Sequence, residues 1–229
     1  AESSFDTWLD GYTPGAPGRK VSIYTEGCLL AFVTDVSIMK ATANKRKLDD
    51  VMRSLYNKYG KKGIGVSEAD YKAEIANVSG TSMDWLFDQY INGTKAFEGI
   101  LTDCLDYLGL ELMNKPSPDY GAARLGVKAI LLNNQMKTLA IFPGSPYDIA
   151  GGMLDDEIMA VNDVKINNDF NQWLEFFENS SKKITVNRKG RILELFLPEV
   201  SRTFYQRYWV QKLADPYKLQ RDALGQWRK

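Results

Sequence analysis

The stretch that most constrains the fold of this chain is residues 144–167, which read GSPYDIAGGMLDDEIMAVNDVKIN. Ser145 is a residue type that caps helix N-termini, and Pro146 suits the first helical turn. Gly151 can adopt the left-handed backbone conformation that ends a helix. The sequence therefore predicts a very short helix of about one and a half turns, followed at once by an acidic turn.

Two short strands are predicted after this helix. Residues 157–161 are apolar enough for a buried strand, and Asn162-Asp163 favour a tight turn into a second strand at 164–166. This order of elements resembles the centre of a PDZ domain, whose usual pattern is G-S-P-A-x-x-A-G-L-x-x-G-D-E-I-L-A-V-N-G. The chain keeps Gly144, Ser145, Pro146, Ala150, Gly151, Asp156, Glu157, Ile158, Ala160, Val161 and Asn162.

The chain departs from this pattern at Gly152, Asp155 and Asp163, where the family prefers Leu, Gly and Gly. Asp adopts left-handed turns more readily than most residues, so the last two departures are compatible with the same turns. The flanking sequence extends the resemblance. It predicts strands at 126–132 and 138–142, a longer helix at 170–178, and a hairpin of 184–188 with 192–197 around Lys189-Gly190.

Composition excludes several classes of catalyst. The 229 residues include no histidine, so this chain alone cannot complete an H-E-x-x-H zinc site or a Ser-His or Cys-His nucleophile. Lys and Arg (29) balance Asp and Glu (29), which favours neither nucleic acid nor an anionic membrane as partner. No apolar run approaches the roughly 20 residues of a membrane span. Cys28 and Cys104 are predicted to be buried free thiols on apolar helix faces.

The first half of the chain is predicted to be helical. Apolar residues recur at helical spacing in residues 24–40, 48–59 and 100–108, and glycines close several of the segments. Ser67 with Asp70, and Thr81 with Asp84, match the capping-box pattern that opens a helix. The short links between these segments favour a compact helical lobe.

The predicted fold class is multidomain α + β. A helical lobe over residues 1–114 is followed by a Pro-rich boundary and a PDZ-like β-barrel or sandwich domain over 119–199. Residues 200–229 form a basic and aromatic tail, with one more helix starting at Asp215-Pro216. Such interleaving also occurs on nucleic-acid-binding surfaces, but the zero net charge favours a tail that packs back on the core.

A second resemblance covers nearly the whole chain. Residues 4–8 (SFDTW), 12–14 (YTP) and 21–27 (VSIYTEG) are similar to the end of the catalytic unit of the glycyl aminopeptidases. These are thermolysin-like zinc aminopeptidases that carry a C-terminal PDZ domain. Residues 48–55 (LDDVMRSL) and 87–94 (FDQYINGT) resemble two further segments of that family. The resemblance implies a bacterial hydrolase whose C-terminal part this chain represents. The start at Ala-Glu-Ser-Ser, without Met, suggests a processed or excised piece.

The same resemblance has implications for the chemistry. In that family the H-E-x-x-H helix and the third zinc ligand, a glutamate, precede the segment with which this chain begins. Glu2 matches the position before S-F-D, so the resemblance implies zinc in the full-length parent, but no metal ligand and no cofactor in this chain. Tyr24 occupies the place of a tyrosine that donates a hydrogen bond to the oxyanion, a type of contact worth roughly 3–4 kcal/mol. Glu26 stands where the family has Lys, and Tyr24 is alternatively a structural residue at a helix start.

The PDZ resemblance implies a peptide-binding groove. An extended peptide would add as a strand beside residues 127–132 and lie against the helix at 170–178. Its terminal carboxylate would meet the backbone amides of Leu125, Gly126 and Val127, because successive amides in a turn form an anion nest. Side chains on the helix would then favour apolar residues at the peptide's end, or alternatively serve only as core contacts. These side chains are Phe170, Trp173, Leu174 and Phe177.

Three functional hypotheses follow from the sequence. The chain is the non-catalytic part of an aminopeptidase, whose partners are the upstream catalytic domain and a peptide or protein segment in the groove. Alternatively, it is a self-contained PDZ adaptor with a helical scaffold. In the third hypothesis, the groove is filled by the chain's own tail at 200–229. The sequence leaves the compartment open between cytoplasm and periplasm.

Overall fold

The computed structural model describes Leu9 and residues 22–229, and these residues fall into two compact units. The helical unit contains Ser22–Met113 and Trp209–Lys229, and the sheet unit contains Asn114–Tyr208. The aminopeptidase-like segments at 4–8 and 12–14 lie outside the described residues, as do Glu2 and Val21.

The elements follow one another in an order that changes from helices to mainly strands. Single turns of 3-10 helix at Gly60–Lys62 and of π-helix at Phe87–Ile91 and Gly121–Leu125 accompany them. In chain order the helices and strands are α1 (Ile23–Ala41), α2 (Leu48–Lys58), α3 (Glu68–Ser79), α4 (Asp84–Leu86), α5 (Glu98–Tyr107), β1 (Leu110–Pro116), β2 (Val127–Leu132), β3 (Gln135–Ile141), α6 (Pro146–Ile149), β4 (Glu157–Val161), β5 (Val164–Lys165), α7 (Phe170–Phe176), β6 (Lys182–Arg188), β7 (Arg191–Leu197), β8 (Gln206–Lys212) and α8 (Lys218–Trp227).

Local capping determines where helices of the helical unit begin and end. The Asp70 N–H donates to Ser67 Oγ (3.1 Å) and the Ser67 N–H donates to the Asp70 carboxylate (3.0 Å), which confirms the first predicted capping box. Gly80 closes the same helix with a φ of 76°. The second predicted box is wrong in detail, because Ser82 rather than Thr81 accepts the Asp84 N–H, at 3.1 Å.

A single apolar core holds the helical unit together. Val36, Ile75 and Leu108 are fully buried in it, and α8 adds Ala223 to the same core. Cys104 is buried, as predicted, but Cys28 is exposed on the first turns of α1. The prediction for Cys28 was wrong because α1 is apolar nearly all round, so its periodicity does not indicate which face is covered.

The tail divides between the two units. Residues up to Tyr208 belong to the sheet unit, and α8 belongs to the helical unit. β8 pairs with β1 in a two-stranded sheet, and neither strand was predicted from the sequence. The predicted Pro-rich boundary therefore ends a strand, with Asn114, Lys115 and Pro116 exposed.

The sheet unit is an open six-stranded sheet with the order β2-β3-β4-β6-β7, in which β5 also pairs with β4. The neighbouring strands are antiparallel. Because β2 and β7 are both edge strands, the sheet does not close, and the predicted barrel is corrected to an open mixed α and β unit. The core contains Val161, Leu174 and Ile184, all fully buried.

The residues that led the sequence analysis form the predicted elements. Ser145 caps α6 by accepting the Asp148 N–H at 3.3 Å, and Gly151 ends it with a φ of 84°. Asp155 and Asp163 both have positive φ values, 64° and 66°, as the departures from the PDZ pattern require. These turns therefore form with Asp in place of Gly.

Gly152 is a third departure, and a neighbouring side chain explains it. A Cβ at this position would lie 2.1 Å from the ring of Tyr147. Tyr147 stands where the pattern has Ala; its ring is fully buried, and its hydroxyl lies 2.8 Å from that of Thr138. The larger residue at 147 and the smaller one at 152 therefore compensate for each other in the core.

Candidate functional site

The candidate site is a groove in the sheet unit between the edge strand β2 and the helix α7. Its volume is about 400 Å³. Ala129 of β2 and Met136 of β3 contribute from the sheet, and Phe170 contributes from the first turn of α7. The remaining lining residues are polar or precede the π-helical turn. They are Pro118, Asp119, Asn168, Asn171, Gln172 and Glu175.

The edge strand supplies the main chemical feature of this groove. Among the strands that the structure describes, β2 pairs with β3 alone. An edge strand presents backbone N–H and C=O groups along its outer side, and an extended peptide can pair with them. Its second half is also apolar and exposed, with exposures of 39% at Ile130 and 48% at Leu132. β2 can therefore hold a peptide backbone and offer apolar contact.

One side chain of α7 positions the π-helical turn that lies beside the groove. Asn171 Oδ1 accepts the Gly121 N–H at 2.8 Å, which ties the π-helical turn Gly121–Leu125 to the helix. A Cβ at Gly121 would lie 3.1 Å from the Phe170 ring and 3.3 Å from the Val127 carbonyl oxygen. Glycine thus allows the turn to pack closely against both walls of the groove.

The residues predicted to bind a carboxylate lie in this turn. The Gly126 N–H donates to the Gly121 carbonyl, and Gly126 has a φ of 67°. A Cβ on Gly126 would lie 2.3 Å from Ser145 Cβ, so this side of the turn is closely packed. Leu125 and Val127 are buried in the core of the sheet unit. In this structure the Gly126 amide is thus already bonded within the chain.

The predicted specificity residues lie on α7, except for Phe177, which follows its last residue, and they separate into two groups. Phe170 and Leu174 are buried in the core, and Phe170 also lines the groove. Trp173 and Phe177 are partly buried, and their rings stack with centroids 6.1 Å apart. The Trp173 indole N–H donates to Asp169 at 2.9 Å. The Asp169 carboxylate accepts a hydrogen bond from the Asn167 backbone N–H and another from this indole. These bonds, the first more than the second, lower the pKa of the Asp169 carboxyl.

The polar residues that line the groove were not predicted from the sequence. Asn171 and Glu175 are one helical turn apart on α7, and Ala129 lies two residues from Val127 on β2. Residues at these spacings share one face of a helix or of a strand, so the spacing is a sequence signal that could have predicted them as neighbours. No local signal indicates that Asp119 lies beside them, because that proximity depends on the path of the π-helical turn.

A second cleft lies at another part of the sheet unit, with a volume of about 480 Å³. Tyr120, Arg124, Lys182 and Glu199 are among the residues that line it. The Lys182 ammonium donates to the carbonyls of Glu178 and Ser180 and lies 5.3 Å from the Tyr120 ring centroid. The Lys182 ammonium is therefore engaged by groups of the protein around this cleft.

The predicted catalytic tyrosine lies in the helical unit. Tyr24 is in the first turn of α1, and its side chain is 69% exposed. Among the residues that the structure describes, no group of three or more His, Cys, Asp or Glu side chains is placed to hold a metal ion. Within the same residues, every helix is too short or too polar to span a bilayer.

Comparisons with known proteins found similar solved structures but no similar sequence. No protein-family model matches the sequence, and no curated protein matches it. An aminopeptidase N family protein from Idiomarina loihiensis has a similar structure, with a TM-score of 0.76 and 19% sequence identity. The alignment covers 91% of this chain and 36% of that protein. The chain therefore has the fold of about a third of this aminopeptidase N family protein.

Two PDZ domains also align with parts of the chain. The HtrA3 PDZ domain bound to a phage-derived ligand covers 44% of this chain at 14% identity, with a TM-score of 0.28. The PDZ domain of EpsC from Vibrio cholerae covers 32% at 13% identity, with a TM-score of 0.27. These two scores are too low to indicate a shared fold.

Proposed function

We propose that this chain is the C-terminal, non-catalytic portion of a zinc-dependent aminopeptidase that acts on peptide N-termini. We further propose that its sheet unit is a PDZ-like module that binds an extended peptide segment. The fold shared with an aminopeptidase N family protein over 91% of this chain supports the first part. The segments at 48–55 and 87–94, which form α2 and the π-helical turn after α4, support it from the sequence.

The described residues do not fit a catalytic zinc. They contain no cluster of three potential ligand side chains, and the complete sequence has no histidine. In the proposed parent enzyme, zinc would be held by residues outside this chain. We expect the purified chain to bind no stoichiometric zinc and to cleave no aminoacyl substrate. One-to-one zinc binding together with peptidase activity would contradict this part of the proposal.

In the proposed enzyme, Tyr24 would stabilise the oxyanion. Its side chain is exposed and lies in the first turn of α1. In the whole enzyme, Tyr24→Phe should lower kcat about a hundredfold and change KM little, because the lost contact exists only in the transition state. Tyr56→Phe is a matched control, since Tyr56 is also an exposed helical tyrosine. An unchanged kcat for Tyr24→Phe would remove Tyr24 from the mechanism.

Peptide binding by the sheet unit rests on one observation. The edge strand β2 faces α7 across a groove that both elements line. A peptide strand beside β2 would form main-chain hydrogen bonds, and the side chains of α7 would contact alternate residues of the peptide. This proposal is independent of the catalytic one.

The test is a titration of extended peptides into the full chain, followed by NMR of the backbone amides of β2 and α7. Gln172→Trp should block binding by filling the groove from the exposed side of α7. Ile192→Trp places the same bulk on the opposite sheet edge, β7, and should leave binding intact. If no peptide perturbs β2 or α7, the proposal fails.

A self-contained peptide-binding adaptor is the second candidate function. It is favoured by the fact that all the described residues that line the groove belong to the sheet unit. No residue of 200–229 is among them, so the lining itself gives no support to a groove filled by the tail. The two candidates differ in whether an H-E-x-x-H motif and a downstream glutamate precede this chain in its gene.

A further inference from the structure

We infer that the groove between β2 and α7 accepts an internal, extended peptide segment that carries a lysine or arginine, rather than an apolar free C-terminus. This inference rests on the proposed peptide-binding function and concerns the chemistry of the ligand. It replaces the preference for an apolar C-terminus that the PDZ resemblance implies. It is carried by the charge of the groove, by its apolar floor and by the hydrogen bonding of the adjacent turn.

Asp119 and Glu175, the ionisable side chains among the described residues that line the groove, are both acidic. Asp119 lies at the entrance to the π-helical turn and Glu175 lies on α7, and both are exposed. Among the described residues that line this groove there is no Lys or Arg. Within the described part of the chain, neither carboxylate forms an ion pair. The groove therefore presents two negative charges to a ligand, and a terminal carboxylate would be repelled by both.

Two cations close in sequence to this groove, Lys128 and Arg124, have contacts elsewhere. The Lys128 ammonium lies 4.4 Å from the centroid of the Tyr205 ring, a cation–π contact. Arg124 lines the other cleft of the sheet unit. Neither side chain is thus placed to compensate a carboxylate in the groove.

The central one of the three backbone amides predicted to receive a terminal carboxylate is also engaged. The Gly126 N–H donates to the Gly121 carbonyl. Binding a carboxylate to the Gly126 amide would require this bond to break. An internal segment avoids that cost because its main-chain groups pair with the outer edge of β2.

The floor of the groove suits the stem of a long cationic side chain. Ala129, Met136 and Phe170 provide apolar contact, whereas Asp119 and Glu175 are exposed. Lys and Arg bury their methylene stems against apolar surface while their charged ends stay in water. A Lys or Arg on the peptide can therefore contact the floor and the acidic residues at once.

The experiment compares acetylated, amidated octapeptides that carry one Arg with the same peptides that carry Gln instead. A third peptide has an apolar end and a free C-terminal carboxylate. Each is titrated into the full chain at low and at high salt, with NMR of β2 and α7 amides as readout. Asp119→Asn and Glu175→Gln test the two carboxylates. Glu178→Gln is the matched control, since Glu178 is acidic and exposed just past α7 but lines the other cleft.

We expect the Arg peptides to bind more tightly than the Gln peptides, by roughly two- to fivefold for each carboxylate that they meet. High salt and either groove variant should reduce this preference, and Glu178→Gln should not. If all three peptides shift β2 and α7 equally, or the free C-terminus binds best, the inference is wrong while the proposed peptide-binding function stands. If no peptide shifts these amides, both fail.

Discussion

The helical unit and the sheet unit each bury one carboxylate, but they stabilise it differently. In the helical unit, Glu74 of α3 accepts hydrogen bonds from Lys58 and Asn77, and the Lys58 side chain is 50% exposed. In the sheet unit, Asp156 is 1% exposed and accepts two N–H groups of Arg188, at 2.7 and 2.6 Å. Asp156 also accepts the Met153 N–H at 2.9 Å, which closes the turn before β4.

This difference reflects what each carboxylate joins. Glu74 links two neighbouring helices that local capping already defines. Asp156 links a turn to a strand that lies 32 positions further along the chain, and a planar guanidinium fixes that geometry through two bonds. The sheet unit thus depends more on distant contacts. It is also the unit that contains the groove between β2 and α7.

The largest effect is expected from the two cores. Ile184→Ala should destabilise the sheet unit by about 2–5 kcal/mol, and Ile75→Ala should do the same to the helical unit, since both side chains are fully buried. Native-state hydrogen exchange should show lower protection only in the unit that carries the change. Equal loss of protection in both units would contradict the division into two cores.

Removal of Arg188 should have the next largest effect. Arg188→Ala leaves the Asp156 carboxylate buried without its cation and should cost about 3 kcal/mol, measured by urea unfolding of the sheet unit. Adding Asp156→Asn should recover part of the loss, because the buried charge is then absent. Lys183→Ala is the control, since the partners of Lys183, Asp163 and Glu194, are exposed. A loss as large for Lys183→Ala would refute the role of burial.

The carboxylate of the helical unit should make stability depend on pH. The hydrogen bond from Lys58 is the main cause that lowers the pKa of Glu74 below its ordinary 4.5. The stabilisation is therefore complete above about pH 4.5 and is lost as the pH falls through the lower folded-state pKa. Glu74→Gln should cost about 1–2 kcal/mol at pH 7 and nothing at low pH. The measurement is urea unfolding of both proteins across this pH range. If Glu74 had no such role, the free energy of unfolding would depend on pH in the same way for the wild type and for Glu74→Gln.

The smallest effects should come from glycines and should be alike in both units. Gly80 and Gly151 have φ values of 76° and 84°, so Ala at either position should cost about 1 kcal/mol through backbone strain. Neither added Cβ would meet another atom within 4 Å. Gly99→Ala, in α5, should instead stabilise by about 0.5 kcal/mol. Thermal unfolding of the three variants measures the difference, and a stabilising Gly80→Ala would contradict the capping argument.

Features of the fold that depend on local sequence could be predicted. The capping box at Ser67, the short helix after Ser145 and the hairpin at Lys189-Gly190 all form where the sequence places them. Each depends on residues within about four positions, whose backbone preferences do not require the rest of the chain. The turn at Asn133-Asn134, which joins β2 and β3 with φ values of 50° and 62°, carries the same kind of signal.

The tertiary structure alone decided which distant segments meet. It paired β1 with β8, left β2 at the sheet edge, and brought Asp119 beside Glu175 in one groove. It also placed Cys28 at the surface. None of these follows from periodicity, because periodicity fixes which side chains share a face but not what covers that face. Only the packing of segments far apart in the chain determines that, and here it determines which residues line the groove between β2 and α7.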